Sequence, residues 1–239
     1  MWEPSPERIA RANLTRFMRE LGEGGLSGGT PPEGASEVHD YPSLYAWSIA
    51  HPSEFWAAVW RFCGVIADPM PSGSPGGSVP AAGADGASRI DAPWSEVVRG
   101  IERMAPPDPK LGPTWFPGAR LNFAENLLRF RDDRIALVFW NENGRQRELT
   151  YADVYDEVAR LAIALREHGI VAGDRVAGWM PNFPETVIAM LATASIGAIW
   201  SSCSPDFGVK GVLDRFGQIE PTVLVAAEGY RYAGKAIDL

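Results

Sequence analysis

The chain has 239 residues, of which 46% are hydrophobic and 22% are charged, and its formal net charge is -8. This balance is typical of a globular protein and excludes wholesale disorder. The length allows one large domain or two small ones. The acidic balance argues against a protein that coats nucleic acid or a membrane surface, although it leaves room for a local phosphate site.

Cysteine use and apolar patterning indicate the compartment. The two cysteines, Cys63 and Cys203, are too few for a disulfide framework and are predicted to be buried, reduced side chains. No apolar stretch reaches the roughly 18 residues of a membrane span. Residues 1–20 lack the apolar core of a signal peptide. We therefore expect a cytoplasmic protein with no membrane partner.

Three helical patterns occupy residues 1–67, which we expect to form a helical N-terminal segment. Apolar residues recur at helical spacing over residues 6–21, and a glycine-rich stretch then stops the pattern. Ser43 is predicted to cap a second short helix, and Ser53 a third helix over residues 54–62. The tryptophans of this region could form a ligand cage, but their helical spacing favours packing against a neighbouring element. They are Trp47, Trp56 and Trp60.

A tract between the two halves has an unusual composition. Of the 18 residues from 71 to 88, 16 are Pro, Gly, Ser or Ala. Such a tract has almost no side chains to bury, so a flexible insertion over residues 68–93 is predicted. A tract that binds a partner is the alternative interpretation.

From residue 94 onward the pattern changes to strands and helices. An apolar strand over residues 135–140 is followed by a turn and a plausible return strand. Thr150 and Asp153 then resemble a capping box for the next helix. This order predicts an α/β fold, in which helices cover a parallel sheet. The later predicted elements are strand 175–180, helix 183–196 entered through Pro184, strand 198–203, helix 209–219 and strand 222–227.

The predicted sheet indicates where a ligand would bind. In open parallel sheets, ligands sit beyond the carboxyl ends of the strands. Two loops are expected at that edge, residues 201–208 and residues 228–235.

Most catalytic and nucleotide-binding motifs are missing. There is no Gly-x-Gly-x-x-Gly fingerprint and no Gly-x-Ser-x-Gly nucleophile elbow. The three histidines are scattered and have no partners at metal-ligand or catalytic spacing, so no metal site is predicted. One of them, His168, lies at a predicted helix C-terminus and is expected to interact with the helix dipole.

The segment 229–235 comes close to a phosphate-binding P-loop. It fits Gly-x4-Gly-Lys after a strand, but Ala236 stands where the motif needs the hydroxyl that binds magnesium. Two tyrosines would also crowd a loop whose backbone must wrap phosphate. We reject the P-loop and keep two alternatives. One is an ordinary surface loop, and the other is a basic loop in which Arg231 and Lys235 hold a phosphate by charge.

Longer motifs carry a family resemblance through residues 40–67 and 94–239. Gly173-Asp-Arg-Val176 and Met180-Pro-Asn-Phe-Pro-Glu185 resemble motifs of the AMP-forming acyl-CoA synthetase superfamily. More particular motifs resemble the acetoacetyl-CoA synthetase family. These are Ser204-Pro-Asp-Phe-Gly208 and Tyr230-Arg-Tyr-Ala-Gly-Lys235, and further similar segments are residues 115–128, 189–202 and 215–221.

The resemblance implies an ATP-dependent acid–CoA ligase. Acetoacetate and ATP would give acetoacetyl-AMP and pyrophosphate, and the CoA thiol would then attack the acyl carbon and release AMP. Mg and hydrogen-bond donors would neutralise the charge that develops on the triphosphate. The implied small-molecule partners are therefore acetoacetate, ATP and CoA, with no nucleic acid among them.

Several parts of the family pattern have no counterpart in this sequence. They are the ATP-binding loop, the adenine-binding aspartate and the C-terminal domain with its catalytic lysine. We therefore expect residues 94–239 to form an incomplete, truncated AMP-binding large domain, with the rest of the enzyme missing and no ATP site in this chain. No catalytic residue is assigned, and the chain alone is predicted to be inactive. A relative that uses acetate or propionate is an alternative.

The resemblance implies that one family site survives in part. In similar acetyl-CoA synthetases, the loop matching residues 201–208 borders the CoA adenine. The loop matching residues 229–235 places basic residues on the CoA 3'-phosphate. Carried over position by position, the phosphate candidates are Arg231 and then Lys235, and the adenine-side candidates are Ser204 and Asp206.

Other interpretations stay open at this point. Asp206 is also a candidate N-cap for the helix over residues 209–219, and Arg231 a candidate solvated loop arginine. At the level of the chain, one alternative is a stand-alone CoA-binding or interaction module. Another is a non-functional product, in which the strand over residues 222–227 would be an uncovered, aggregation-prone sheet edge.

Overall fold

The computed structural model describes residues 3–69, 93–103 and 112–239. The chain forms two compact units, Met1–Leu121 and Asn122–Leu239. The predicted flexible insertion lies almost wholly outside the described residues. The predicted segment boundaries at residues 67 and 93 differ from this two-unit division and stay predictions.

The first unit begins with two short helices where one was predicted. The first ends at Ala10, and the second begins only at Asn13, because Ala12 adopts an extended backbone with ψ 139. The carbonyl of Ile9 accepts the Ala12 amide at 3.0 Å and the Thr15 hydroxyl at 2.7 Å, so the break between the helices leaves it paired. The unit contains α1 (Pro6–Ala10), α2 (Asn13–Gly22), α3 (Tyr41–Ala50), α4 (Pro52–Cys63) and a two-residue ladder of β1 (Val98–Arg99) with β2 (Thr114–Trp115).

Two predicted helix caps in this unit are wrong. The N-cap of α3 is Asp40, and Ser43 completes the capping box from inside the first turn. The Ser43 amide donates to the Asp40 carboxylate at 2.9 Å. The N-cap of α4 is His51, without a side-chain hydrogen bond, so Ser53 is already helical. In both helices a proline enters the first turn, where its fixed φ and missing N–H are tolerated.

Aromatic side chains make much of the packing in the first unit. Trp47 is buried, and its indole N–H donates to the carbonyl of Glu33 at 2.8 Å. Trp60 packs on Trp94, with ring centroids 4.8 Å apart. The packing interpretation is thus confirmed for these two tryptophans, whereas Trp56 stays 43% exposed.

The prediction that both cysteines are buried is confirmed for one of them and wrong for the other. Cys203 is buried and Cys63 is exposed, and no disulfide joins them in the described residues. Cys203 packs in a core cluster with Ala177, and burial raises the pKa of its thiol.

The second unit has the predicted α/β order. Its three-stranded parallel sheet has the strand order β6-β5-β7, and an antiparallel hairpin of β3 and β4 precedes it. In chain order the elements are α5 (Phe123–Leu127), β3 (Ile135–Asn141), β4 (Gly144–Thr150), α6 (Tyr151–Glu167), β5 (Arg175–Trp179), α7 (Pro184–Ser195), β6 (Ile199–Cys203), α8 (Gly208–Ile219), β7 (Val223–Ala226), β8 (Gly229–Tyr232) and β9 (Lys235–Asp238).

Alternation along β5 divides the core between the two faces of the sheet. Val176 packs in the cluster that contains residues of α6 and α7. Its neighbour Ala177 packs with Val212 and Phe216 of α8. Successive strand residues face opposite sides, so helices cover both faces, as the sequence predicts.

Local signals explain the ends of the helices. The Thr150–Asp153 capping box of α6 is confirmed, and its hydrogen bond holds the pKa of the Asp153 carboxyl below its ordinary value. Gly169 follows α6 with a φ of 83, a conformation that favours glycine. His168 lies at the end of α6, where its Nδ1 is 2.8 Å from the carbonyl of Ala164.

The last strand of the sheet is an edge. Within the described residues, β7 pairs with β5 alone, and Leu224 is 52% exposed. The sequence predicted such an edge for this strand. No helix of the described ranges has the length and apolar character that crossing a membrane requires.

The segment after β7 is a hairpin rather than the predicted loop. β8 and β9 pair in antiparallel register, with Tyr232 opposite Lys235. The two residues between them, Ala233 and Gly234, have φ values of 51 and 74, as a type I′ hairpin turn requires.

Candidate functional site

The carboxyl ends of the parallel strands form the edge where the sequence predicted a ligand. The loop after β5 leads to α7 on one face, and the loop after β6 leads to α8 on the other. Where connections diverge in this way, a crevice opens beyond the strand ends. The terminal hairpin follows β7 at the same edge.

A cleft of about 740 Å³ lies beside this hairpin. Its walls are the tip of the β3–β4 hairpin, the loop after β5 and both strands of the terminal hairpin. Several lining residues are aromatic. Among the described residues that line the cleft, Arg231 is the one with a basic side chain. The lining residues include Glu142, Glu228, Tyr230, Arg231 and Ala236.

The two predicted phosphate residues lie on opposite faces of the terminal hairpin. Arg231 is opposite Ala236, and Lys235 is opposite Tyr232. Directly opposed residues of an antiparallel pair share a face, and neighbouring pairs alternate. Arg231 and Ala236 both line the cleft, whereas Lys235 does not line it.

The two predicted adenine-side residues contact each other, and Asp206 also contacts the hairpin. The Ser204 hydroxyl donates to Asp206 Oδ2 at 2.8 Å, and the Tyr230 hydroxyl donates to Asp206 Oδ1 at 2.9 Å. The hydrogen bond to Asp206 raises the pKa of the Tyr230 hydroxyl. The structure thus brings Ser204 and Asp206 to the base of the hairpin that carries Arg231.

The prediction that Asp206 caps the next helix is wrong. The residue before α8 is Phe207, and no side chain caps that helix. Asp206 lies instead within a short 3-10 turn, whose N-cap is Ser204.

A residue that the sequence did not single out holds the tip of the terminal hairpin. The carboxylate of Glu142 accepts the amide of Ala233 at 2.5 Å and the amide of Gly234 at 2.7 Å. Glu142 lies in the turn between β3 and β4. No sequence signal pointed to this contact, because 91 residues separate Glu142 from Ala233.

A second missed group is a set of ion pairs around Arg147. Arg147 of β4 donates to Glu185 at 2.6 Å, and it also forms an ion pair with Glu157 of α6. Glu185 lies in the first turn of α7, where a carboxylate also meets the positive end of the helix dipole. These contacts link the β3–β4 hairpin to α6 and α7.

The rejected motifs stay rejected. Gly229 belongs to β8, and a Cβ there would lie 2.5 Å from the carbonyl oxygen of Ile237. Glycine at position 229 therefore allows the backbones of β8 and β9 to approach each other closely. In the parts of the chain that the structure describes, no group of three or more His, Cys, Asp or Glu side chains could hold a metal ion, so no ligand for magnesium is assigned.

Comparisons with known proteins agree with the motifs. A family model described as AMP-binding enzyme matches residues 123–238. The acetoacetyl-coenzyme A synthetase of Rhizobium meliloti (strain 1021) is 41% identical over 239 residues, which cover 100% of this chain and 31% of that protein. The acetoacetyl-CoA synthetase of Rattus norvegicus is 39% identical over 98% of this chain and 30% of that protein.

A solved structure extends the similarity to three dimensions. The acetoacetyl-CoA synthetase from Streptomyces lividans matches with a TM-score of 0.74 and 36% identity, over 99% of this chain and 31% of that chain. The chain thus spans about 31% of the length of the relatives it matches. It is similar to AMP-binding enzymes over residues 123–238, and over its whole length to the N-terminal part of the acetoacetyl-CoA synthetases.

Proposed function

We propose that the chain supplies the N-terminal part of an acetoacetate–CoA ligase. The complete protein would convert acetoacetate, ATP and CoA to acetoacetyl-CoA, AMP and pyrophosphate through an acyl-adenylate. The proposal is supported by 41% identity to an acetoacetyl-coenzyme A synthetase along the whole chain. Mg would neutralise the triphosphate in that reaction, and we assign no residue of this chain to it.

Within that reaction, we propose that this chain holds CoA. Arg231 is exposed on the wall of the cleft, beside the small side chain of Ala236 and beyond the carboxyl ends of the parallel strands. A guanidinium at such a place can bind the CoA 3'-phosphate with two parallel hydrogen bonds. This position of Arg231 is the observation that carries the site proposal.

The other three predicted site residues would have different roles in CoA binding. Ser204 and Asp206 would border the adenine, and Asp206 would also hold Tyr230, because its two oxygens accept from the hydroxyls of Ser204 and Tyr230. Lys235 would add long-range attraction from the other face of the hairpin. This attraction is screened over about 10 Å at ordinary ionic strength, so Arg231 carries most of the effect.

The first experiment compares two ligands that differ only in the 3'-phosphate. Calorimetry measures the affinity of the 239-residue chain for CoA and for dephospho-CoA. We expect CoA to bind about fivefold to tenfold more tightly, the worth of one exposed charged contact. In an Arg231→Gln variant this preference should vanish, while a Lys235→Gln variant should keep most of it. Equal affinity of the native chain for both ligands contradicts the site proposal.

A second experiment addresses the ligase reaction. The chain alone is expected to make no AMP from acetoacetate, ATP and CoA, because it spans about 31% of its relatives' length. AMP formation by the purified chain would refute this expectation. An absence of AMP combined with preferential CoA binding is the result that the proposal predicts.

A further inference from the structure

The terminal hairpin has little support from the sheet. Among the described residues, β8 and β9 pair only with each other. An isolated two-stranded hairpin is at best marginally stable in water. Contacts with the rest of the unit must therefore set the position of this hairpin and of any residue that it carries.

Glu142 makes the contact at the tip. Its two carboxylate oxygens each accept one amide, from Ala233 and from Gly234. Both amides belong to residues with positive φ, and this turn conformation directs successive N–H groups toward one anion. Hydrogen bonds to an ionised carboxylate are about twice as strong as neutral ones.

The contact at the base is the one between Tyr230 and Asp206. Arg231 is the next residue along β8 and lies between the two contacts. Its place on the cleft wall thus depends on two carboxylates, one from the turn after β3 and one from the loop after β6.

We propose that Glu142 is a positioning residue, which holds the terminal hairpin so that Arg231 faces its anionic ligand. This inference rests on the proposed function of Arg231 as the group that binds the CoA 3'-phosphate. It assigns to Glu142 an indirect role, since a carboxylate does not itself attract phosphate.

The sign of the effect separates positioning from simple electrostatics. By charge alone, removing the carboxylate of Glu142 would strengthen phosphate binding, because a nearby negative charge would disappear. By positioning, the same change weakens phosphate binding. Glu142→Gln is the suitable variant, because the amide keeps one acceptor oxygen and turns its NH2 group toward the second backbone donor.

The chain offers a charge-matched control. Glu228 also lines the cleft, and Glu228→Gln removes one negative charge without touching the hairpin tip. We expect Glu228→Gln to bind CoA as tightly as the native chain or more tightly. We expect Glu142→Gln to lose about threefold to tenfold in CoA affinity, with no change for dephospho-CoA.

A double variant tests whether Glu142 acts through Arg231. In an Arg231→Gln background, Glu142→Gln should cause no further loss of CoA affinity. A full additional loss would overturn the positioning role. So would an increase in CoA affinity of the single variant Glu142→Gln.

Amide hydrogen exchange supplies a readout that does not depend on CoA. Exchange of the amides in β8 and β9 should accelerate about tenfold in Glu142→Gln and stay unchanged in Glu228→Gln. Exchange in β5 should be the same in both variants, which shows that the sheet is intact. Unchanged exchange in the hairpin of Glu142→Gln overturns the inference.

The two proposals fail in different ways. If the native chain does not distinguish CoA from dephospho-CoA, the phosphate role of Arg231 is refuted, and with it the ligand part of this inference. Faster hairpin exchange in Glu142→Gln would then still support the positional part. If the native chain prefers CoA and Glu142→Gln keeps that preference, the function stands and the role of Glu142 is refuted.

Discussion

Replacing Gly178 with alanine tests how tightly the central strand of the sheet is packed. A Cβ at Gly178 would lie 2.5 Å from two ring carbons of Trp200, a side chain packed against the main core. Ordinary contact begins at 3.4 Å, so the ring or the strand must move by about 1 Å. Overpacking of this kind costs about 1–3 kcal/mol. Alanine recovers about 0.5–1 kcal/mol relative to glycine in a strand. A net loss of about 1–2 kcal/mol is expected.

Native-state amide exchange in β5 and β6 measures this loss where it occurs, independently of the first unit. Gly217→Ala is the matched control, because Gly217 is a helical position with nothing within 4 Å of its Cβ. That control should stabilise the unit by about 0.5–1 kcal/mol. In a Trp200→Leu background the cost of Gly178→Ala should shrink, since the clashing ring is gone. Equal stabilisation by both alanine substitutions would refute the packing argument.

Two further predictions concern hydrogen bonds of the second unit. Thr150→Ala should destabilise α6 by about 1 kcal/mol in chemical unfolding. Because Asp153 has a folded-state pKa below its ordinary value, its contribution to the stability of the fold is present at neutral pH and is lost as the pH falls through the folded pKa. An unfolding midpoint that is the same in Thr150→Ala and in the native chain at neutral pH would contradict the predicted destabilisation. For Tyr230 the pH dependence has the opposite sign, because the hydrogen bond to Asp206 raises the pKa of the Tyr230 hydroxyl. The stabilisation from this contact is fully present below pH 10.0, the ordinary pKa of tyrosine, and is lost as the pH rises through the folded-state pKa. A tyrosinate absorbance titration of the native chain should therefore contain a component above the ordinary range that Tyr230→Phe lacks, and an unchanged titration would count against the contact.

The elements between residues 150 and 227 could be predicted because several local signals agree there. The Thr150–Asp153 capping box, the proline at the start of α7 and the alternation of strand and helix patterns all indicate the same architecture. Each signal lies within a few residues of sequence. Agreement among local signals is what specifies a fold most clearly.

The terminal hairpin could not be predicted because its turn lacks the usual residues. Asn-Gly or Asp-Gly marks a type I′ turn in sequence, whereas this turn has Ala233 at a φ of 51. A left-handed alanine costs about 1 kcal/mol. The Glu142 carboxylate offsets this cost through its contact with the turn, and that partner is distant in sequence.

The candidate site was also predicted only in part from the sequence. The sequence placed the loops over residues 201–208 and 228–235 at one edge, and the contact of Asp206 with Tyr230 agrees with that placement. The resemblance also led to Arg231. It ranked Arg231 ahead of Lys235 but did not place them on opposite faces of a hairpin, because that placement follows from the register of β8 against β9, and a loop prediction contains no register.

Phosphorus NMR of CoA in the presence of the chain tests the central claim most directly. The 3'-phosphate and the diphosphate give separate signals, so each reports its own environment. We predict that the 3'-phosphate signal shifts on addition of the native chain and does not shift on addition of Arg231→Gln. A 3'-phosphate signal that stays in place with the native chain, or that moves equally with the Arg231→Gln variant, would contradict the account.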